Sequence, residues 1–229
     1  MNDSPPLKVR IAPNPPLRDQ AYSSLKDALL SGKFAPGDHL VEIEIAQSLG
    51  LSRSPIREAF RRLEQEGYLI VTRNGVLVQH ISPKEIEGIY FVRQKLEAIA
   101  ATLVTERANP HEIAQLRQAI KAMELALKEK NEKKLVRAGN DFHALLYSLT
   151  DNSYLIDLLN GTYDKIRHFR NVNLTVYQRG RAAIEEHQAI VEAIARHDAK
   201  QASRMSEAHI KKSWEHTRHL LAESSNEND

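Results

Sequence analysis

Three histidines in the C-terminal half of the chain have the side chains and the sequence context to bind a metal. His143 lies in NDFHALL, His187 in IEEHQAIVEAI and His209 in MSEAHIKKSW. Apolar residues recur around each of them at helical spacing, which predicts three amphipathic helices of one bundle. Neutral imidazole is the commonest protein ligand for metals near neutral pH. The three side chains could therefore meet at a divalent metal such as zinc or nickel. The alternative is that they are ordinary core or surface residues.

Other polar residues of this half bear on whether such a site would be catalytic. A three-histidine metal with open coordination positions can activate water, but hydrolysis also needs a general acid or base. Glu186 and Asp164 are the only candidates, and neither lies in a recognised catalytic motif. The remaining histidines without a metal-site pattern are interpreted as surface residues: His111, His168, His197, His216 and His219.

A second group of chemically informative residues lies in LSRSPIREAF, residues 51–60. Arg53 and Arg57 are four residues apart and share one face of a predicted helix. Either guanidinium could donate two hydrogen bonds to guanine O6 and N7 in the major groove of DNA. Ser52 or Ser54 is expected to cap this helix, whose free N–H groups suit a DNA phosphate. The alternative is a pair of solvated arginines on an ordinary capped helix.

The elements around these arginines predict a winged helix-turn-helix. Helical spacing begins at Leu17, a second short helix ends at Gly50, and the arginine helix comes directly after it. Gly50 can adopt the positive φ of the turn between the two helices. Arg73-Asn74-Gly75 separates two β-prone runs, which is a strong hairpin signal. This hairpin would form the wing, with Arg73 at its tip.

The rest of the chain predicts an all-α bundle. Ser82 and Pro83 give a helix start, with serine as the cap and proline in the first helical position. The fold class is therefore mainly α, with a winged helix-turn-helix over 17–80 and a helical bundle over 82–221. A flexible arm is expected over 1–16 and a flexible tail over 222–229. The expected bundle helices are 83–107, 110–129, 132–149, 152–171, 177–197 and 199–221.

Composition narrows the class of protein. The chain has no cysteine, so it has neither disulfides nor thiolate metal sites, and a reducing cytoplasm is the expected location. No apolar run reaches the roughly 18–20 residues that span a bilayer, and no membrane partner is expected. The formal net charge is only +2, so binding to DNA must come from a local patch.

The stretch from 41 to 78 resembles the winged helix-turn-helix of the GntR family of bacterial transcription regulators. The matching pieces are SRSPIREA, the LEQEG after it, the glycine of the wing and the preceding GKFAPG turn. The region C-terminal to this stretch is similar to the helical effector domain (FCD domain) of the FadR-type branch. Ile43 departs from members that carry a DNA-contacting arginine there. The resemblance implies DNA contacts from six residues: Arg53, Ser54, Arg57, Ser52, Arg73 and Gly75.

The same resemblance implies a metal site with one ligand missing. Family members use an aspartate four residues before the first histidine, and this chain has Gly139 there. Asn140 lies about 60° from His143 around the helix and could offer a weak oxygen ligand, whereas Asp141 lies about 160° away. The expected ligands are therefore His143, His187 and His209, with Asn140 as a weak fourth. Zinc, nickel or manganese is the expected metal.

The resemblance also implies an effector and an assembly. Arg93 falls where family members have an arginine that lines the effector pocket, although an ion pair with Glu97 on a solvated face is an equal alternative. The effector would be a small organic acid, and Arg167 or Arg170 could also contact it. The implied protein is a homodimeric repressor that reads a pseudo-palindromic operator. A metal-dependent enzyme and an effector-free architectural DNA-binding dimer are the competing interpretations.

Overall fold

The computed structural model describes residues 15–73, 75–173 and 179–226, with no side-chain description for 170–173 and 224–226. The chain divides into two compact units, Met1–His80 and Ile81–Asp229. Most of the arm expected over 1–16 lies outside the described residues. None of the described helices is long and apolar enough to cross a bilayer.

The first unit contains three helices and a small antiparallel sheet. The helices are α1 (Leu17–Leu30), α2 (Glu42–Leu49) and α3 (Arg53–Gln65), and the strands are β1 (His39–Leu40), β2 (Leu69–Thr72) and β3 (Gly75–Val78). The strand order is β1-β3-β2. Leu29, Ile56 and Leu63 are completely buried in its core. This is the predicted helix, helix, helix, hairpin order.

Two local details of this unit depend on the backbone. Gly50 ends α2 with φ 64° and ψ 30°, the left-handed conformation that glycine adopts without steric cost. The sequence predicts only a turn where strand β1 lies. The strand forms because His39 and Leu40 pair with Leu77 and Val76. The pairing partners lie almost forty residues away, so local sequence patterns carry no sign of this strand.

The second unit is built from six described helices, all close to their predicted bounds. They are α4 (Pro83–Arg107), α5 (Pro110–Lys128), α6 (Glu132–Ser148), α7 (Ser153–Asn173), α8 (Gly180–Ala195) and α9 (Ala199–Asn226). Ser82 caps α4 in a reciprocal capping box with Glu85, and Asn109 and Glu112 do the same for α5. These caps fix where the helices begin.

Packing within this unit places α4 beside α7, α8 and α9, while α8 also contacts α5. The main core includes Phe142 from α6, Ile190 from α8 and Leu116 from α5. Helix α9 continues to Asn226, whereas the sequence predicts a flexible tail from residue 222. Nε2 of His219 lies 3.3 Å from Oε1 of Glu223, one helical turn further along this extension.

Candidate metal centre and DNA-contacting helix

The structure brings the three predicted histidines together from three helices. His143 on α6, His187 on α8 and His209 on α9 are 8%, 2% and 4% exposed. One ring nitrogen of each lies within 4.8 Å of the others. The Nε2 atoms of His187 and His209 are 3.1 Å apart. Three buried imidazoles at these separations match the donor set of a first-row divalent metal.

Two carboxylates contact the Nδ1 atoms of two of these histidines, His143 and His209. Glu97 Oε1 is 3.1 Å from Nδ1 of His143, and Glu186 Oε2 is 2.7 Å from Nδ1 of His209. Metal-binding histidines usually donate their second ring N–H to a carboxylate or carbonyl, which fixes the tautomer. Both carboxylates contact the Nδ1 side of a ring, whereas Nε2 of His209 faces Nε2 of His187. Phe142 stacks on the ring of His187, with 4.2 Å between ring centroids.

Burial keeps two of the histidines neutral. Removal from water lowers the pKa of His187 and of His209 well below the ordinary value of 6.5, and the positive charge of neighbouring groups lowers both further. A metal binds only deprotonated imidazole, so this environment favours metal binding. Burial by itself would raise the pKa of Glu97, but the charges of His143 and Arg93 hold that pKa below its ordinary value.

Arg93 belongs to the same cavity. It forms the predicted ion pair with Glu97 at 2.8 Å, but the pair is buried and does not lie on a solvated face. Tyr147 donates a hydrogen bond to Glu97 and accepts one from Arg93 at 3.2 Å. Arg93, Asn140 and the three histidines line a cavity of about 90 Å³. That volume holds several water molecules, so an ion and a small anion fit.

Three consecutive residues of α6 lie where the resemblance implies an aspartate ligand: Gly139, Asn140 and Asp141. Gly139 lines the cavity, and a Cβ built on it would lie 3.6 Å from Met123 Cε, an ordinary contact. Asn140 Oδ1 accepts a hydrogen bond from the hydroxyl of Tyr163, which occupies part of its capacity as a ligand. Asp141 is mostly exposed and pairs with Arg137, pointing away as the helical angle predicts.

Sequence reasoning misplaced one histidine and missed two residues that line the cavity. His168 is only 1% exposed, so its surface assignment was wrong; α7 buries Ile166 and Phe169 on either side of it. His216 is half-buried and lines the cavity. The signal was available, because seven residues after His209 is the same face of α9. Arg179 also lines the cavity and donates to Glu186 and to the carbonyl of His209. No pattern in the sequence marks it.

The predicted DNA-contacting residues lie at the start of α3. Ser52 is the N-cap residue, but its hydroxyl makes no capping hydrogen bond. The side chains of Arg53 and Arg57 are about half exposed, and both donate hydrogen bonds to Glu42 of α2. Ser54 is exposed beside them. The sequence did not single out Glu42.

The hairpin supplies the expected wing. Strands β2 and β3 are joined between Thr72 and Gly75, and the Thr72 hydroxyl donates to the Gly75 carbonyl at 3.0 Å. Arg73 is exposed at this end of the hairpin. Gly75 has φ 125°, a backbone conformation that residues other than glycine rarely adopt. Asn74 lies outside the described residues.

Comparison with known proteins agrees with both units. A model of the bacterial regulatory proteins of the gntR family matches residues 17–78, and a model of the FCD domain matches residues 88–212. The HTH-type transcriptional regulator YdhC of Bacillus subtilis is 34% identical over 206 residues, which cover 89% of this chain and 92% of that protein. The HTH-type transcriptional repressor RspR of Escherichia coli is 25% identical over 223 residues, 96% of each chain.

The fold has a solved counterpart. The structure of Escherichia coli McbR/YncC aligns with a TM-score of 0.77 at 20% identity and covers 92% of this chain and all of that one. A helix-turn-helix unit with a wing, followed by a helical FCD domain, defines a class of DNA-binding transcription regulators. The chain belongs to the GntR family of bacterial regulatory proteins, in the branch that carries an FCD domain.

Proposed function

We propose that the protein is a ligand-responsive repressor whose helical unit binds a divalent metal together with a small carboxylate effector. The observation that supports this most directly is the convergence of three buried imidazoles within 4.8 Å of one another. In the described part of the chain, Nδ1 of His187 is buried without a hydrogen-bond partner. A buried polar atom of this kind has a free-energy cost unless a ligand or water binds to that atom.

The ligands in this proposal are His143, His187 and His209, with Asn140 as a weak oxygen donor. Zinc, nickel or manganese suits such a donor set. A bound metal would supply a fixed positive charge to which a carboxylate oxygen can bind. The chain's own role is to orient the imidazoles: Glu97 and Glu186 contact Nδ1 of His143 and of His209, and Phe142 stacks on the ring of His187.

The effector is proposed to be a small organic acid because cationic groups line the cavity. Arg93 and Arg179 both border it, and the hydroxyl of Tyr163 is close by. Each arginine pairs with a carboxylate, Glu97 or Glu186, which holds its guanidinium group in place. An entering carboxylate would therefore meet preorganised donors and, with metal bound, a net positive site.

For DNA we propose that Arg53, Ser54 and Arg57 read bases in the major groove. Ser52, Arg73 and Gly75 would contact the phosphate backbone or the minor groove. The start of α3, without a side-chain cap, provides N–H groups for a phosphate. Because the DNA is in the bacterial cytoplasm, that is where we place the protein.

The regulator is proposed to act as a homodimer on a pseudo-palindromic operator. Exposed apolar side chains on α4 and α7, two helices that pack together, support a protein interface: Phe91, Val92, Ile99, Tyr154 and Leu158. Effector binding would favour the state that releases DNA, which requires different affinities for the two states. We place the coupling at Ile81 and Ser82, the first residues of the second unit.

The enzyme interpretation gains little support from the site. Glu186, one of the two acid or base candidates, contacts His209, Arg179 and Lys212 together, so it serves as an orienting group. Asp164 does not line the cavity. The family to which the chain belongs consists of transcription regulators.

One experiment separates these interpretations. Metal per chain is measured by elemental mass spectrometry on untagged protein, and release of promoter DNA is then titrated with a panel of small carboxylates. We expect about one metal per chain, and His187→Ala with His209→Ala should abolish both metal and release. His219→Ala, which changes an exposed histidine of the same helix α9, is the control. Unchanged release in the double variant would favour the architectural dimer, and loss of a hydrolytic turnover would favour the enzyme.

A further inference from the structure

A single carboxylate connects the two arginines that are proposed to read DNA. Glu42 is the first residue of α2, and its side chain is 22% exposed. Arg57 donates from Nε to Oε1 at 3.2 Å and from Nη2 to Oε2 at 3.0 Å. Arg53 donates from Nη2 to the same Oε2 at 3.1 Å. Both guanidinium groups are therefore held by one acceptor on the neighbouring helix.

The edge of Arg57 that Glu42 occupies is informative. A guanidinium has one edge formed by Nε and one terminal nitrogen, and another formed by the two terminal nitrogens. Glu42 takes the first edge. The second edge remains, and its two parallel N–H groups match the spacing of guanine O6 and N7. A bidentate carboxylate also restricts the rotation of the guanidinium plane.

A carboxylate at the position of Glu42 is unfavourable for DNA binding unless it orients the arginines. A carboxylate beside a DNA-contacting surface repels phosphates and lowers affinity for any duplex. Its contribution to folding stability is small, since an ion pair this accessible to solvent typically adds well under about 1 kcal/mol. Neither DNA affinity nor stability therefore accounts for the residue, whereas orientation of two base-reading side chains does.

We propose that Glu42 is a positioning residue that sets base specificity by fixing the guanidinium planes of Arg57 and Arg53 for guanine. The inference depends on the proposed role of these arginines in DNA contact. Glu42 thereby lowers the total affinity for DNA and increases the discrimination between bases. Removing its charge while keeping its shape should free both arginines to contact phosphates, which binds DNA more tightly and less selectively.

The chain offers a matched control on the same helix. Glu44 is exposed and lies two residues after Glu42, about 200° around α2. Glu42→Gln and Glu44→Gln thus change the net charge equally and leave helix length and side-chain volume nearly unchanged. Glu42→Asp keeps the charge but withdraws the carboxylate by one methylene. Arg57→Ala tests the underlying DNA role by itself.

The test uses the full chain without effector. Bound sequences are selected from a random duplex library and sequenced, and affinity for one random duplex is measured by anisotropy at several salt concentrations. Wild type and Glu44→Gln should select the same guanine-containing half-site. For Glu42→Gln we expect the preference at that guanine to fall about 5-fold or more. Affinity for the random duplex should rise, with a salt dependence steeper by about one phosphate contact. Glu42→Asp should fall between.

The outcomes distinguish the positioning role of Glu42 from the DNA contact of Arg57. If Glu42→Gln selects the wild-type half-site with wild-type preference, the positioning role is wrong. If Arg57→Ala also leaves the selected sequence unchanged, the proposed DNA contact itself fails. A merely structural role for Glu42 would lower the thermal stability and weaken binding to all duplexes equally, without changing the base preference.

Discussion

Gly139 is the residue at which this chain differs most from the expected metal site. The three imidazoles are in place, yet the position that would supply an anionic ligand has no side chain. Glu97 and Glu186 bring negative charge close to the histidines, but each contacts the Nδ1 side. Their charge can therefore orient and polarise the imidazoles without filling the fourth ligand position.

Gly139→Asp is expected to increase metal affinity. The new Cβ meets only Met123 Cε at 3.6 Å, so the substitution fits, and the carboxylate would extend from the cavity wall. Glycine inside a helix is also less favourable than other residues, so stability should not suffer. Zinc titration by calorimetry should show about 10-fold tighter binding or more, as expected for an added charged ligand. Arg137→Asp, on the exposed side of α6, is the control; equal affinities in wild type and Gly139→Asp would contradict this placement.

Helices α6, α8 and α9 each contribute one histidine to a buried cluster, so ionisable groups as well as apolar side chains meet there. In the absence of metal, His187 and His209 are neutral in the folded state because burial lowers their pKa values. The unfolded chain exposes the same imidazoles to water, where their pKa returns to about 6.5. Below that pH, the unfolded state binds more protons than the folded state.

The metal-free helical unit should therefore lose stability as pH falls from about 7 toward 5, by up to about 1.4 kcal/mol per pH unit for each of the two histidines. Well above pH 7 the two groups should no longer make the unfolding free energy depend on pH. Urea unfolding of chelator-treated protein, followed by circular dichroism at several pH values, measures this slope. His187→Asn should reduce it and His219→Asn should not. Identical slopes in these two variants would show that His187 does not titrate on unfolding.

At the scale of the whole molecule, the proposed homodimer would determine how the protein reads DNA. Phe91 and Tyr154 are 63% and 84% exposed on two helices that pack together, and apolar surface patches often mark protein interfaces. They lie on α4 and α7, away from the cavity and within the helical unit. A second copy that covers this surface would join two winged units for two half-sites.

Phe91→Glu with Leu158→Glu is expected to dissociate the dimer, because a buried unpaired carboxylate is strongly unfavourable. Sedimentation equilibrium should shift from twice the chain mass to the 26.0 kDa of one chain. Operator affinity should fall at least about 10-fold when the two half-sites bind separately. Leu125→Glu, at an exposed position of α5, is the matched control. A dimer that persists in the double variant would place the interface elsewhere.

The sequence by itself determined the order of elements and most helix limits. Local hydrogen bonds and backbone angles within four residues set these limits, so they can be recognised without the fold. Examples are Ser82 with Pro83, Asn109 with Pro110, and Gly50. The three histidines could be chosen because they recur on apolar helical faces.

Only the tertiary structure decided which side chains share a site. Glu97 is 46 residues before His143, and Arg179 is 30 residues before His209, with other helices intervening. Strand β1 and the contacts of Glu42 likewise depend on pairing between separate elements. Such contacts are set by how helices and strands pack in three dimensions, and no local period or cap encodes that packing.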